Sequence, residues 1–170
     1  VIGDVYKRQD PRVGVVILTG EGPDAFCSGG DQKVRGNAGY IGEDGVPRLN
    51  ILDVQRTIRT MPKPVVAMVA GYAIGGGHVL HVVCDLTIAA DNAKFGQPEL
   101  RLASIPCFGA TQLLTKAIGK AKAMEVILSG RAINAEEAER TGLVSRIIPL
   151  TDLYDECYKV AAKIAEQSDL

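Results

Sequence analysis

Two glycine-rich segments are the residues best suited to chemistry in this chain. Residues 26–31 read Phe-Cys-Ser-Gly-Gly-Asp, and residues 71–77 read Gly-Tyr-Ala-Ile-Gly-Gly-Gly. Glycine lets a backbone come close to a ligand, because no side chain stands in the way. Two such turns can direct two backbone N–H groups at one oxygen atom, and donors held in place stabilise the negative charge of an enolate or oxyanion. We therefore predict an oxyanion site, with tight turns that bind nothing as the alternative.

Each glycine segment follows a stretch that is typical of a buried β-strand. Residues 13–19 and 65–70 are continuous apolar runs rich in β-branched residues, as in strands covered on both faces. Apolar residues at helical intervals predict a helix over residues 50–60, which Pro62 and Pro64 end. The pattern continues in the same alternation and contains no repeat, so we expect one α/β domain. The other predicted elements are helices at 77–83, 110–118, 120–128 and 151–167, strands at 86–90 and 143–149, and a helix N-cap at Asn134.

The composition is that of an ordinary globular domain with a sizeable core. The chain has 170 residues, of which 46% are hydrophobic and 23% charged, and its net charge is -1 at pH 7. This balance gives no bulk attraction to nucleic acid or to an anionic membrane, so we expect binding to neither. No apolar run is long enough to span a membrane, and the N-terminus has no pattern typical of secretion, so we expect a cytoplasmic protein. The four cysteines form no CxxC pair, which favours free thiols over a zinc site or disulfides. His78 and His81 have no third ligand at a suitable spacing, so we expect packed histidines and no metal.

Several spaced motifs together resemble the crotonase (enoyl-CoA hydratase/isomerase) superfamily. Besides the glycine turns, they are PKPVVA at residues 62–67, Cys-Asp at 84–85 and FGQPE at 95–99. The resemblance implies an α/β fold, a crotonase-like spiral of ββα units, which is incomplete at both ends and forms one partial domain over residues 10–170. Residues 1–9 do not share the resemblance, and we expect them to be non-native or disordered. For a full-length chain, the resemblance implies a homo-oligomer, a trimer or hexamer.

The resemblance also implies the chemistry. The substrate would be a CoA thioester, with no tightly bound cofactor, and its carbonyl oxygen would lie between the N–H groups of Gly30 and Gly76. The α-carbon would then gain or lose a proton through a thioester enolate. Further contacts to the substrate or to CoA are expected from Ser28, Gly29, Asp31, Gln32, Lys33, Arg35 and Gln97, of which Lys33 and Arg35 suit anionic groups.

The two halves of the chain resemble different members of the superfamily. Residues 10–97 look like 1,4-dihydroxy-2-naphthoyl-CoA synthases of menaquinone biosynthesis, above all in segments 26–36 and 71–81. Residues 98–170 are similar to enoyl-CoA hydratases of fatty-acid oxidation, for example in TGLV at 141–144. A synthase-like enzyme is the leading expectation, and a hydratase or isomerase is the alternative.

A synthase-like reaction would depend on residues from both halves. Tyr40 matches the tyrosine that ring closure needs, with a surface tyrosine as the alternative interpretation. Gln97 matches a residue that helps to hold bicarbonate in synthases that use it as a catalytic base. Glu99 replaces the glycine that accompanies this glutamine, and Pro106 replaces an aspartate, so one catalytic carboxylate of the synthase is missing. In such a site, Glu99 would substitute for bicarbonate.

A hydratase needs two carboxylates, one to deprotonate a water molecule and one to protonate the α-carbon. Glu99 matches the second of the family's pair, but Val79 stands where the first should be. We therefore expect poor hydration, whereas a single-carboxylate proton shuttle, as in the double-bond isomerases of the superfamily, needs only Glu99. A solvated loop acid is the other interpretation of Glu99, and an inactive member that binds CoA or oligomerises without turnover is the alternative outside catalysis.

Overall fold

A computed structural model describes residues 10–31, 41, 45–46 and 50–167 of the chain. Its strands form two four-stranded sheets, with helices packed around them. Residues 1–9, for which we expected no native structure, lie outside the described residues. The strands are β1 (Val16–Thr19), β2 (Ala25–Cys27), β3 (Val65–Val69), β4 (Tyr72–Ile74), β5 (Leu86–Ala90), β6 (Lys94–Gly96), β7 (Ala132–Asn134) and β8 (Arg146–Ile148). The α-helices are α1 (Ile51–Thr60), α2 (Gly76–Val83), α3 (Ala110–Ile118), α4 (Lys120–Ser129), α5 (Ala135–Arg140) and α6 (Leu153–Ala165), and two 3-10 helices span Glu99–Leu102 and Leu150–Asp152.

The first sheet is parallel and has the strand order β1-β3-β5-β8. Strand β3 is buried at all five positions, because both faces of the sheet are covered. Val66 and Met68 face helix α6, which packs on this side through Leu153 and Cys157. The alternate residues of β3 belong to the larger core on the other side. A continuous apolar run is thus the pattern that this strand requires.

The second sheet has the order β2-β4-β6-β7, in which only β7 is antiparallel. Strands β1, β3 and β5 each continue into a short strand of this sheet, and a helix follows each pair. This succession is the spiral of ββα units that the resemblance implied. Since β2 and β4 occupy parts of the two glycine-rich segments, reading these segments purely as turns was wrong. Strands of three residues are too short to show alternation in a sequence.

Most predicted elements are present, with shorter ends. The strand predicted over residues 143–149 covers only Arg146–Ile148, because the N–H groups of Leu143 and Val144 bond to the carbonyl of Ala138 instead. The strand over residues 13–19 is likewise confined to β1, and the last helix to α6. Asn134 caps α5 as predicted, since its side chain accepts a hydrogen bond from the N–H of Glu137 at 2.9 Å.

The helices in the described part of the chain are all too short or too polar to cross a membrane.

Candidate active site

The two glycine turns meet at the beginning of helix α2. A Cβ atom on Gly77 would lie 1.8 Å from the carbonyl oxygen of Cys27, which ends β2. A Cβ on Gly76 would lie 3.8 Å from Cα of Gly29 in the first turn. Only glycine permits the first of these contacts. The structure therefore brings together the two segments that the sequence singled out.

Helix α2 presents an unused backbone donor at this point. Gly76 is its first residue, and the Gly76 N–H forms no hydrogen bond to the described residues. The first N–H groups of a helix have no partner within the helix and carry the positive end of its dipole. Gly75, with φ 58° and ψ -121°, turns the chain into the helix in a conformation suited to glycine. Four predicted residues are exposed in the facing turn: Ser28, Gly29, Gly30 and Asp31.

Asn92 fixes the approach to both turns, and sequence reasoning missed it. Its Oδ1 accepts a hydrogen bond from the N–H of Gly71 at 3.1 Å, and its Nδ2 donates to the carbonyl of Pro23 at 3.0 Å. The N–H of Tyr72 also donates to the carbonyl of Asp24 at 3.0 Å. The only signal in the sequence was an asparagine just after the strand predicted over residues 86–90, which is common in ordinary turns.

Glu99 places a carboxylate on the second glycine turn. A Cβ on Gly75 would lie 3.3 Å from Oε1 of Glu99, so the carboxylate covers this glycine. The fully buried Gln97 lies beside it, and its amide nitrogen is 2.8 and 3.1 Å from the two carboxylate oxygens when the nitrogen faces them. The backbone carbonyl of Glu99 accepts a hydrogen bond from Ser104 at 3.0 Å. Both the backbone and the side chain of Glu99 are therefore held in place.

Burial raises the pKa of Glu99 above its ordinary value of 4.5, while a backbone hydrogen bond lowers it in part. No charged group in the described part of the chain offsets this rise. A carboxyl group with a raised pKa gains and loses a proton more readily near neutral pH, which suits a general base that must also act as an acid.

The neighbouring position on α2 brings no second carboxylate. Val79 is a core residue with 1% of its surface exposed. His78 and His81 are also packed in the core, as expected, and His81 contacts the ring of Phe95. Within the described ranges, no three metal-binding side chains lie together. Pro106, where the synthase resemblance called for an aspartate, follows the 3-10 helix of Glu99 and has no proton to transfer.

Several predicted residues cannot be placed relative to this site. Gln32, Lys33, Arg35 and Tyr40 lie outside the described residues. The residues that the structure brings together are Gly29, Gly75, Gly76, Gln97 and Glu99. The contact between Gln97 and Glu99 agrees with the expectation of a Glu99 carboxylate beside Gln97, where bicarbonate would otherwise act.

A family model described as enoyl-CoA hydratase/isomerase matches residues 5–170 of the chain. Among solved structures, an enoyl-CoA hydratase from Bacillus anthracis is 39% identical with a TM-score of 0.83, over 93% of this chain and 61% of that one. A monofunctional enoyl-CoA isomerase from M. smegmatis is 38% identical with a TM-score of 0.75, over 92% of this chain and 65% of that one. A probable enoyl-CoA hydratase/isomerase from Mycobacterium abscessus is 34% identical with a TM-score of 0.80, over 93% and 60% of the two chains. The chain thus spans less than two thirds of the length of these structures.

Proposed function

Because the chain belongs to the enoyl-CoA hydratase/isomerase family, we propose that it acts as an enoyl-CoA isomerase, which moves a carbon–carbon double bond in an acyl-CoA. One observation carries this proposal. The carboxylate of Glu99 covers the second glycine turn with a raised pKa, while the position expected for a partner carboxylate is the buried Val79. One carboxyl group is enough to move a proton but not to add water.

The proposed reaction has two proton transfers at one side chain. Backbone N–H groups of the glycine turns, those of Gly30 and Gly76, hold the thioester oxygen. Glu99 removes a proton from C2 of a 3-enoyl-CoA, and the electron pair of the C–H bond moves into the thioester enolate. Glu99 then returns the proton to C4, which leaves the double bond between C2 and C3. The reaction consumes no water and needs no other reactant.

Hydration makes a stronger demand on the site. A base must deprotonate water while an acid protonates C2, and the two groups must act from separate positions. Val79 cannot do either. We therefore expect hydration of crotonyl-CoA to be much slower than isomerisation of a 3-enoyl-CoA.

Ring closure, the reaction implied by the resemblance of residues 10–97 to naphthoyl-CoA synthases, is the alternative function. Tyr40, Lys33 and Arg35, on which that reaction would depend, lie outside the described residues. The place beside Gln97 where bicarbonate would act is next to the carboxylate of Glu99. Ring closure of o-succinylbenzoyl-CoA is therefore tested as an alternative outcome.

Three substrates separate the candidates. The full chain is assayed with a 3-enoyl-CoA, with crotonyl-CoA and with o-succinylbenzoyl-CoA, the last with and without bicarbonate. We expect turnover of the first, and a loss of at least about a hundredfold in Glu99→Gln, because general acid–base groups contribute on that scale. Glu166→Gln, which changes an exposed glutamate at the end of α6, is the matched control.

Each other result contradicts the proposal. Undiminished isomerisation by Glu99→Gln would show that Glu99 is not the base. Faster hydration than isomerisation would indicate a second acid–base group at the site. Formation of the naphthoyl product would show that the chain catalyses the synthase reaction. No turnover of any of the three substrates would indicate an inactive member of the family.

A further inference from the structure

The amide of Gln97 lies between two acceptor groups and can serve either. Turned one way, its nitrogen is 2.8 and 3.1 Å from the carboxylate oxygens of Glu99. Turned by half a rotation, the nitrogen donates to the carbonyl oxygen of Gly75 at 3.3 Å. The amide oxygen then takes the position beside the Glu99 carboxyl group. The two orientations differ only by rotation about the last bond of the side chain.

The protonation state of Glu99 decides which orientation is stable. An ionised carboxylate can only accept hydrogen bonds, so it requires the amide nitrogen. A protonated carboxyl group has an O–H donor, which the amide oxygen accepts while the nitrogen turns to Gly75. Gln97 has no exposed surface, so water cannot satisfy an amide that points the wrong way. A buried polar group without a hydrogen-bond partner costs free energy.

We propose that Gln97 is a positioning residue whose amide turns over each time Glu99 gains or loses a proton, so that both forms of the carboxyl group stay hydrogen-bonded. The inference rests on the proposed function, in which Glu99 holds the substrate's proton between the two transfers. The proton leaves C2, resides on Glu99 and ends on C4. Gln97 gives and takes no proton itself. Its effect is to keep the carboxyl group hydrogen-bonded in both forms, with two contacts to the ionised form and one to the protonated form.

Three other titratable groups on the elements around Glu99 each have a contact of their own in the described structure. Arg101, on the same 3-10 helix, donates to the carbonyl of Ser129. Lys122 of α4, which packs on this helix, pairs with Glu125 at 2.8 Å. His78 of α2 is a buried imidazole at hydrogen-bond distance from His81. Within the described residues, the amide of Gln97 is the group that lies against both oxygens of the Glu99 carboxylate.

A titration by NMR tests the coupling without substrate. The carboxyl carbon of Glu99 and the side-chain NH₂ group of Gln97 are followed from pH 4 to pH 9. We expect the NH₂ resonances to shift with the same midpoint as the carboxyl carbon, and to be flat over this range in Glu99→Gln. NH₂ resonances that ignore the Glu99 midpoint in the native chain would overturn the proposal. The titration needs no substrate and can be carried out even if the protein turns over no acyl-CoA. A failure of this inference is therefore distinguishable from a failure of the proposed function.

Kinetics of Gln97→Met test the consequence for turnover. Methionine keeps the length of the side chain and removes both the donor and the acceptor. We expect kcat for isomerisation to fall about tenfold or more, with KM changed less than about twofold. We also expect the acid limb of the pH profile to move to higher pH, because the ionised carboxylate loses two hydrogen bonds and the protonated form only one. Gln55→Met is the matched control, since Gln55 is also buried but has no hydrogen bond to Glu99. An unchanged kcat and pH profile would refute a positioning role, and if Gln97→Met does not fold, the native titration decides.

Discussion

Acidification from pH 7 to pH 5 should destabilise the fold through one pair of side chains. The chain has two histidines, and both lie in the core on α2, with 1% and 0% of their surfaces exposed. The hydroxyl of Thr87 donates to the carbonyl of His81 at 3.2 Å, so it must accept from Nδ1 of the same residue at 3.1 Å. Nδ1 of His78 then donates to Nε2 of His81 at 3.4 Å. This chain of bonds leaves Nε2 of His78 as an acceptor with no partner in the described structure.

The magnitude follows from the pKa values. Burial lowers the pKa of His78 from 6.5 to about 3, and burial together with the neighbouring ring lowers the pKa of His81 well below 6.5. Below pH 6.5 the unfolded chain therefore binds protons that the folded chain excludes, and stability falls as the pH falls. Between pH 7 and pH 5, His78 alone costs about 2 kcal/mol, and His81 adds a loss in the same direction. That is a large share of the roughly 5–15 kcal/mol by which a domain is stable.

Urea denaturation at half-unit steps from pH 7.5 to pH 4.5 measures this loss. Glu99 acts in the opposite direction, because its raised pKa lets the folded chain hold a proton longer, so Glu99→Gln is the preferred background. A double variant, His78→Leu with His81→Leu, should be less stable at pH 7.5 but should lose the slope. A free energy of unfolding that is flat from pH 7 to pH 5, or a slope that survives in the double variant, would refute the reasoning.

Two further substitutions test the packing around the site, each by urea denaturation at pH 7.5. Gly77→Ala should cost at least about 3 kcal/mol, because its Cβ would lie 1.8 Å from a carbonyl oxygen of β2. Gly142→Ala, at a glycine with positive φ in open space, should cost only about 1 kcal/mol. Equal losses would contradict the close approach. Glu137→Gln should cost about 2 kcal/mol, because Glu137 accepts two hydrogen bonds from Arg131 at 2.6 and 2.7 Å, and the exposed neighbour Glu136→Gln should change little. These contacts hold the pKa of Glu137 at about 2, so their stabilisation is full above pH 4.5 and disappears as the pH falls towards 2. A Glu137→Gln variant that is as stable as the native chain would show that the pair contributes nothing to stability.

The sequence predicts the first sheet better than the second for a physical reason. Strand β3 is covered on both faces, and burial demands an apolar residue at every position, so the strand is visible as a continuous run. Strands β4 and β6 have only three residues each and exist because they pair with each other, from Tyr72 with Lys94 to Ile74 with Gly96. Pairing partners 22 residues apart in sequence leave no local pattern.

The candidate site also contains features that residue types predict and features that depend on the folded chain. The glycines were predictable, because Gly77 has to be glycine for α2 to lie against β2, and this requirement acts on the residue type itself. The contact between Gln97 and Glu99 was expected only from the resemblance to a bicarbonate site, because residue spacing alone does not show how the chain turns at Pro98 or where Gly75 places α2. Residue types at the two positions are compatible with a bicarbonate site, a loop acid or a proton shuttle, and only their geometry favours the last.

In the proposed reaction, the backbone and the side chains of this site make separate contributions. The N–H of Gly76 is offered by the first turn of α2 whatever side chain follows at position 79, so stabilisation of an enolate does not depend on that side chain. The fate of the enolate does depend on it, because adding water requires an acid and a base at once, whereas shifting a double bond returns the same proton to another carbon. With Val79 in the core and Glu99 as the carboxylate at the turn, the second reaction is the one for which this arrangement has all the groups it needs.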